Sequence, residues 1–129
     1  MIKKVFSTIV MAMLGIYTFA QCPAGETEVS MDISTDAYGY EIYLELVPSG
    51  SSCGSGAAIF IGGNSLVGCN ANGATSGGYS NNTTINAGPW CLTDGATYDI
   101  LSRDGYGDGG GEFVINIATF PLYTYLAAD

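Results

Sequence analysis

Apolar and polar residues alternate with a period of two over several stretches of the chain after Ala20, the signature of strands with one buried face. Val29, Met31 and Ile33 alternate with Glu28, Ser30 and Asp32. Ile42, Leu44 and Leu46 alternate with Glu41, Tyr43 and Glu45. Ala58-Ile59-Phe60-Ile61 is a short apolar run, Tyr98 and Ile100 begin a further strand, and Phe113, Val114, Ile115 and Ile117 form a longer one. No helical period follows Ala20. Turn-rich segments separate the strands: Pro48 to Gly56, Gly62 to Asn86 and Asp104 to Gly111. Gly62 to Asn86 has few apolar anchors and predicts a long surface loop holding at most one weak strand. With 19 glycines in 129 residues, the chain suits many tight turns. The pattern predicts an all-β fold, a single antiparallel β-sandwich of jelly-roll or immunoglobulin-like type.

Residues 1–20 do not fit that pattern. Lys3 and Lys4, an apolar run from Val5 to Phe19 and the small Ala20 before Gln21 describe a secretory signal peptide. The expected domain organisation is a leader over 1–20 and a secreted sandwich over 21–129. The leader's apolar run is short for a membrane span, and no later run reaches the eighteen or so apolar residues a spanning helix needs.

Charge then removes whole classes of function. Twelve acidic residues face three basic ones and no histidine, and Lys3 and Lys4 leave with the leader, so Arg103 is the last cation. Nucleic acid is excluded as a partner, because phosphate contacts need basic side chains. Ser-His-Asp and Cys-His catalysis lack their base. A carboxylate pair of glycosidase type is allowed by residue type, but a small domain without imidazole or ammonium groups is not expected to be an enzyme.

Four cysteines, Cys22, Cys53, Cys69 and Cys91, in a small exported domain predict two disulfides, with three connectivities open. Cys53 and Cys69 bracket a Gly/Ser-rich loop, which favours that pair and leaves Cys22 with Cys91. Each bridge contributes about 2–4 kcal/mol. Trp90, after Pro89 and next to Cys91, is expected to pack against a bridge. Asn81-Asn82-Thr83-Thr84 holds two overlapping glycosylation sequons, a pattern that chance produces readily in such a loop.

The segment Asp104-Gly105-Tyr106-Gly107-Asp108-Gly109-Gly110-Gly111-Glu112 carries the clearest chemistry. Hard cations such as calcium take six to eight oxygen ligands, and glycines allow a tight loop to turn several oxygens inward. Asp104 and Asp108 are the expected side-chain ligands, with Tyr106 or Gly110 carbonyls and Glu112 as further candidates. A wide hairpin connection whose aspartates cap local amides fits the same spacing. Thr35-Asp36-Ala37-Tyr38-Gly39-Tyr40-Glu41 is a second acidic cluster, ahead of a strand. Bringing Asp36 or Glu41 beside Asp104 and Asp108 concentrates like charge and calls for a cation.

These two segments, with Cys91-Leu92-Thr93-Asp94-Gly95-Ala96-Thr97-Tyr98 before the second, resemble a β-sandwich module of secreted Bacteroidetes-type proteins. That module carries a Thr-Asp-x-Tyr/Trp-Gly-x-Glu segment entering a strand and an Asp-Ser-Tyr-Gly-Asp-Gly loop after a Cys-Leu-x-x-Gly-x-Tyr strand. Here Leu44 stands where the module usually has Trp, one extra residue precedes Tyr98, and Gly105 replaces Ser. The resemblance implies an extracellular, calcium-stabilised sandwich.

Two roles suit such a domain. Tyr38, Tyr40, Tyr79, Tyr106 and Trp90 offer stacking faces for an extracellular glycan beside a cation, as in a carbohydrate-binding or adhesion module. The last segment, with Phe120, Leu122, Tyr123, Tyr125 and Leu126, is apolar and strand-prone where chain ends are usually polar. It is expected either to close its own sandwich or to add to the sheet of another copy, giving a homopolymeric surface fibre or coat. The second role, a self-assembling structural subunit, is the expected one.

Overall fold

A computed structural model describes residues 22–118 and the backbone of residues 120–126. The expected leader over 1–20 lies outside the described residues. Seven strands follow one another: β1 (Glu26–Thr35), β2 (Ile42–Pro48), β3 (Phe60–Gly63), β4 (Thr84–Thr93), β5 (Tyr98–Asp104), β6 (Gly111–Ile117) and β7 (Phe120–Leu126). Short 3-10 turns cover Gly39–Glu41 and Gly68–Asn70. The strands form two antiparallel sheets, in the orders β4-β1-β6-β7 and β3-β2-β5. The all-β antiparallel expectation holds, as do both disulfides, Cys22–Cys91 and Cys53–Cys69. Among the described residues no helix is long and apolar enough to cross a membrane.

The alternation in the sequence becomes the core between the sheets. Met31 and Ile33 of β1, Phe113 of β6 and Ala87 of β4 meet Ile42 and Leu44 of β2. The fully buried Met31, Ile33 and Leu44 each contribute about 1.5–3 kcal/mol by leaving water. Trp90, expected against a bridge, sets its ring 5.2 Å from that of Phe60 and packs on this core.

Three features depart from the sequence expectations. The ten-residue β4 is one of the two longest strands, yet its inward residues break the period. Ile85 and Ala87 stand opposite Ile33 and Met31, but Trp90 and Leu92 follow three and five positions after Ala87, opposite Val29 and Thr27. A register shift at Gly88-Pro89 moves the phase by one residue, as a β-bulge does. The second departure is on β2, where Glu41, Tyr43 and Glu45 were the expected solvent face. All three are buried: the segment after β2 folds back and lays Val67, Ala74 and the Cys53–Cys69 bridge over Tyr43 and beside Glu45, while Glu41 is covered where the β5–β6 loop starts against it.

The third departure is that the Gly62–Asn86 segment is anchored. Asn64, only 2% exposed, donates its side-chain N–H groups to the carbonyls of Tyr40 (2.6 Å) and Ser76 (2.8 Å) and accepts the Leu66 N–H at 3.0 Å. One side chain thereby ties the loop to the residue before Glu41.

Candidate functional site

Four segments converge at one end of the sandwich. Asp36 leaves β1, Glu41 enters β2, Asp104 closes β5, and Asp108 lies in the loop to β6. The Gly105 N–H donates to the Glu41 carbonyl at 2.9 Å, so the β5–β6 loop starts against the entry of β2. Gly39 has no room for a side chain, since a Cβ there would lie 2.5 Å from the Ser80 carbonyl oxygen. Its N–H donates to the Asn81 side-chain oxygen at 2.9 Å, so the first sequon asparagine already serves an internal contact. Gly110, with φ of +142°, lets the loop pass the Asp36 carboxylate, and a Cβ there would lie 3.0 Å from it.

Carboxylate oxygens of Glu41, Asp104 and Asp108 lie within 4.8 Å of one another. Glu41 is only 6% exposed, Asp104 is half-buried and Asp108 is open to water. Glu41 Oε2 and Asp104 Oδ2 are both shut off from solvent and have no hydrogen-bond partner. Asp104 Oδ1 accepts the Tyr106 N–H at 2.9 Å, and Asp36 Oδ1 accepts the Tyr38 N–H at 2.7 Å. Burial pushes the Glu41 carboxyl above its ordinary range, and the charges of Asp108, Asp104 and Asp36 push it the same way. The Tyr40 phenol acts in the opposite direction. Buried polar atoms are nearly always paired, and a buried charge without a counter-ion is more costly still.

The structure thus brings together Asp36, Glu41, Asp104 and Asp108. Glu112 is exposed on β6 opposite Ser34 and is not one of the three clustered carboxylates. Tyr106 contributes its N–H to Asp104, and its ring stands 55% exposed; Tyr38 is 49% exposed. The charges of both act on Tyr40, so the three phenols share this corner. Tyr79 and Trp90 pack against the core instead and leave the expected stacking set.

A second cluster, Glu45 with Cys53 and Cys69, has the spacing of a metal site but not its chemistry, because the two sulfurs are joined in a disulfide and carry no thiolate. Glu45 is held from within the chain. Its carboxylate accepts the Tyr43 hydroxyl at 2.7 Å and the Gly54 N–H at 3.1 and 3.0 Å. That hydrogen bond, followed by burial, drives the Tyr43 phenol up to about 12.

The other feature of functional size was not legible in the sequence. β5 has β2 on one side and no strand on the other among the described residues. Along its free edge the sandwich opens into a cleft of about 1240 Å³, bordered by all of β5 and lined on the facing sheet by the partly exposed Trp90, Ile115 and Ile117. The cleft runs from the Asp94–Thr97 turn to Asp104 and Gly107. An unpaired edge depends on which strands neighbour one another, which periodicity does not report. The same holds for Asn64, a lone polar residue in a Gly/Ser/Asn-rich loop. No family model matches the chain, and no curated protein and no solved structure was found to be similar to it.

Proposed function

We propose that this protein is a secreted structural subunit that assembles by strand addition into an extracellular fibre or coat, with calcium at the acidic corner. The open β5 edge above an apolar floor is the observation that carries this reading. An unpaired strand presents free N–H and C=O groups that template another strand, and an apolar floor rewards one with apolar side chains. The occupant is the Phe120–Leu126 strand of a second copy. It has seven residues, as β5 has, and within one chain it pairs with β6 at the edge of the other sheet. Exchange of that strand between copies is a heterologous contact that does not close, so it propagates. The two disulfides suit an oxidising, extracellular setting.

Negative-stain microscopy and sedimentation of the exported protein with calcium test the reading. Filaments are expected, and a chain lacking residues 119–129 should form none while capturing a synthetic peptide of that sequence. Full-length protein that stays monomeric at high concentration overturns it.

A second reading, a calcium-dependent glycan-binding or adhesion module, has the exposed Tyr38 and Tyr106 rings beside the acidic corner in its favour. Retention of the monomer on an immobilised polysaccharide, lost in the Tyr38→Ala/Tyr106→Ala double variant and in chelator, would favour this alternative.

A further inference from the structure

We infer that the acidic corner is a divalent-cation clamp between the two sheets, and that its occupancy sets the β5 cleft for an incoming strand; this deepens, and rests on, the strand-addition reading. The inference starts from where the ligands sit. Glu41 immediately precedes β2 and Asp104 ends β5, both strands of the three-stranded sheet, while Asp36 and Asp108 lie on the segments that leave β1 and enter β6, in the four-stranded sheet. A single ion held by Glu41, Asp104 and Asp108, with the Asp36 charge nearby, joins both layers at one end of the sandwich.

Geometry permits such an ion. Calcium–oxygen distances of about 2.3–2.6 Å let oxygens on opposite sides of one ion stand up to about 5 Å apart. The oxygens of Glu41, Asp104 and Asp108 all lie within 4.8 Å of one another, inside that limit. The all-oxygen donor set selects a hard cation. Independently of the cluster, Glu41 Oε2 points to a ligand: it is shut off from solvent on a residue 6% exposed, and no donor among the described residues reaches it. Arg103, the sole basic residue among the described residues, donates to the carbonyls of Cys69 (3.2 Å) and Ser102 (2.7 Å) and has no carboxylate partner among them.

Asp104 links the clamp to assembly. It is the last residue of the strand whose edge is open, it lines the end of the cleft, and its Oδ2 is the other unpartnered oxygen. Without a cation, four carboxylates repel one another across the gap between the sheets at the mouth of the cleft. With one, the end of β5 and the spacing of the two sheets are fixed together. An incoming strand needs both, because it pairs with β5 and packs on the other sheet.

Calcium alone, titrated into the full-length chain under dilute, non-assembling conditions, tests the clamp by calorimetry and by hydrogen exchange of the β5 amides. Binding of one ion per chain is expected, with at least tenfold slower exchange toward the Asp104 end of β5. Asp108→Asn should weaken binding tenfold or more, and Glu112→Gln, an exposed site outside the cluster, should leave it unchanged. Assembly at higher concentration, followed by light scattering, should be at least tenfold faster in calcium than in chelator. No calcium binding overturns the site. Binding that leaves β5 exchange and assembly rate unchanged overturns the coupling while the strand-addition reading stands. Binding with slower β5 exchange but no assembly in any condition upholds the clamp and removes strand addition, and with it the control of assembly.

Discussion

Glu41 and Glu45 stand four positions apart, at the entry and in the middle of β2, and both are buried. Their surroundings are opposite. Glu45, 1% exposed, is provided with a hydroxyl and a backbone N–H by its own chain. Glu41 has the Tyr40 phenol as its one side-chain donor, three more carboxylates around it, and an oxygen, Oε2, without a partner among the described residues. A carboxylate can be buried cheaply only when donors replace its water. Glu45 is complete within the fold and so reads as structural. Glu41 is completed only by something from outside, which is how a binding site differs from a core contact.

The largest effect should come from breaking the complete side of that contrast. Glu45→Ala leaves the Tyr43 hydroxyl and the Gly54 N–H buried without partners and opens a void, at a cost of about 3 kcal/mol in urea unfolding at neutral pH. Calcium should not restore it. The same variant has a spectroscopic signature. The Tyr43 pKa is raised in the folded state, so its contribution to stability is full below pH 10 and is lost as pH rises through about 12. In Glu45→Ala its main cause is gone, and the Tyr43 ionisation in an absorbance titration should move back toward 10.

On the incomplete side the expected effect is nearly as large but depends on the cation. Calcium at a hundredfold excess over its dissociation constant should stabilise the wild type by about 2.7 kcal/mol, and chelator should remove that gain. Asp108→Asn, with binding weakened tenfold or more, should keep no more than about half of that gain at the same calcium concentration. Equal melting of the wild type with and without calcium would reduce the corner to a turn whose aspartates cap local amides, the reading that spacing alone had left open.

The contrast also shows which parts of the molecule a sequence exposes. β1 follows its period-two pattern in burial, and Ile42 and Leu44 of β2, Ile100 of β5 and Phe113 and Ile115 of β6 face the shared core as their spacing implies. The acidic corner was legible because Asp and Gly crowd two short segments, and like charges with few basic residues need a common counter-ion. Glu45 was not legible as a buried residue. Its alternation with Leu44 and Leu46 marks it as solvent-facing, and only Val67, Ala74 and the Cys53–Cys69 bridge cover the strand's outer face. Those covering residues are scattered singly along a loop and carry no period. β4 escaped for a related reason, since a one-residue shift at Gly88-Pro89 erases the phase that would have revealed it.

The smallest effect carries the most information because its sign is reversed. Glu41→Gln keeps the shape of the side chain and removes one of four neighbouring negative charges. Its amide can also donate to the unpartnered Asp104 Oδ2. In chelator at neutral pH, the variant should therefore be more stable than the wild type, by about 1 kcal/mol, since an uncompensated buried charge is replaced by a neutral donor. In saturating calcium the order should invert, because the variant loses a charged ligand and most of the cation's contribution. Thermal melts of the two proteins in calcium and in chelator give all four values. Glu41→Gln destabilising the chain equally in both would place Glu41 with Glu45, as a carboxylate the fold itself requires, and would remove the distinction between them.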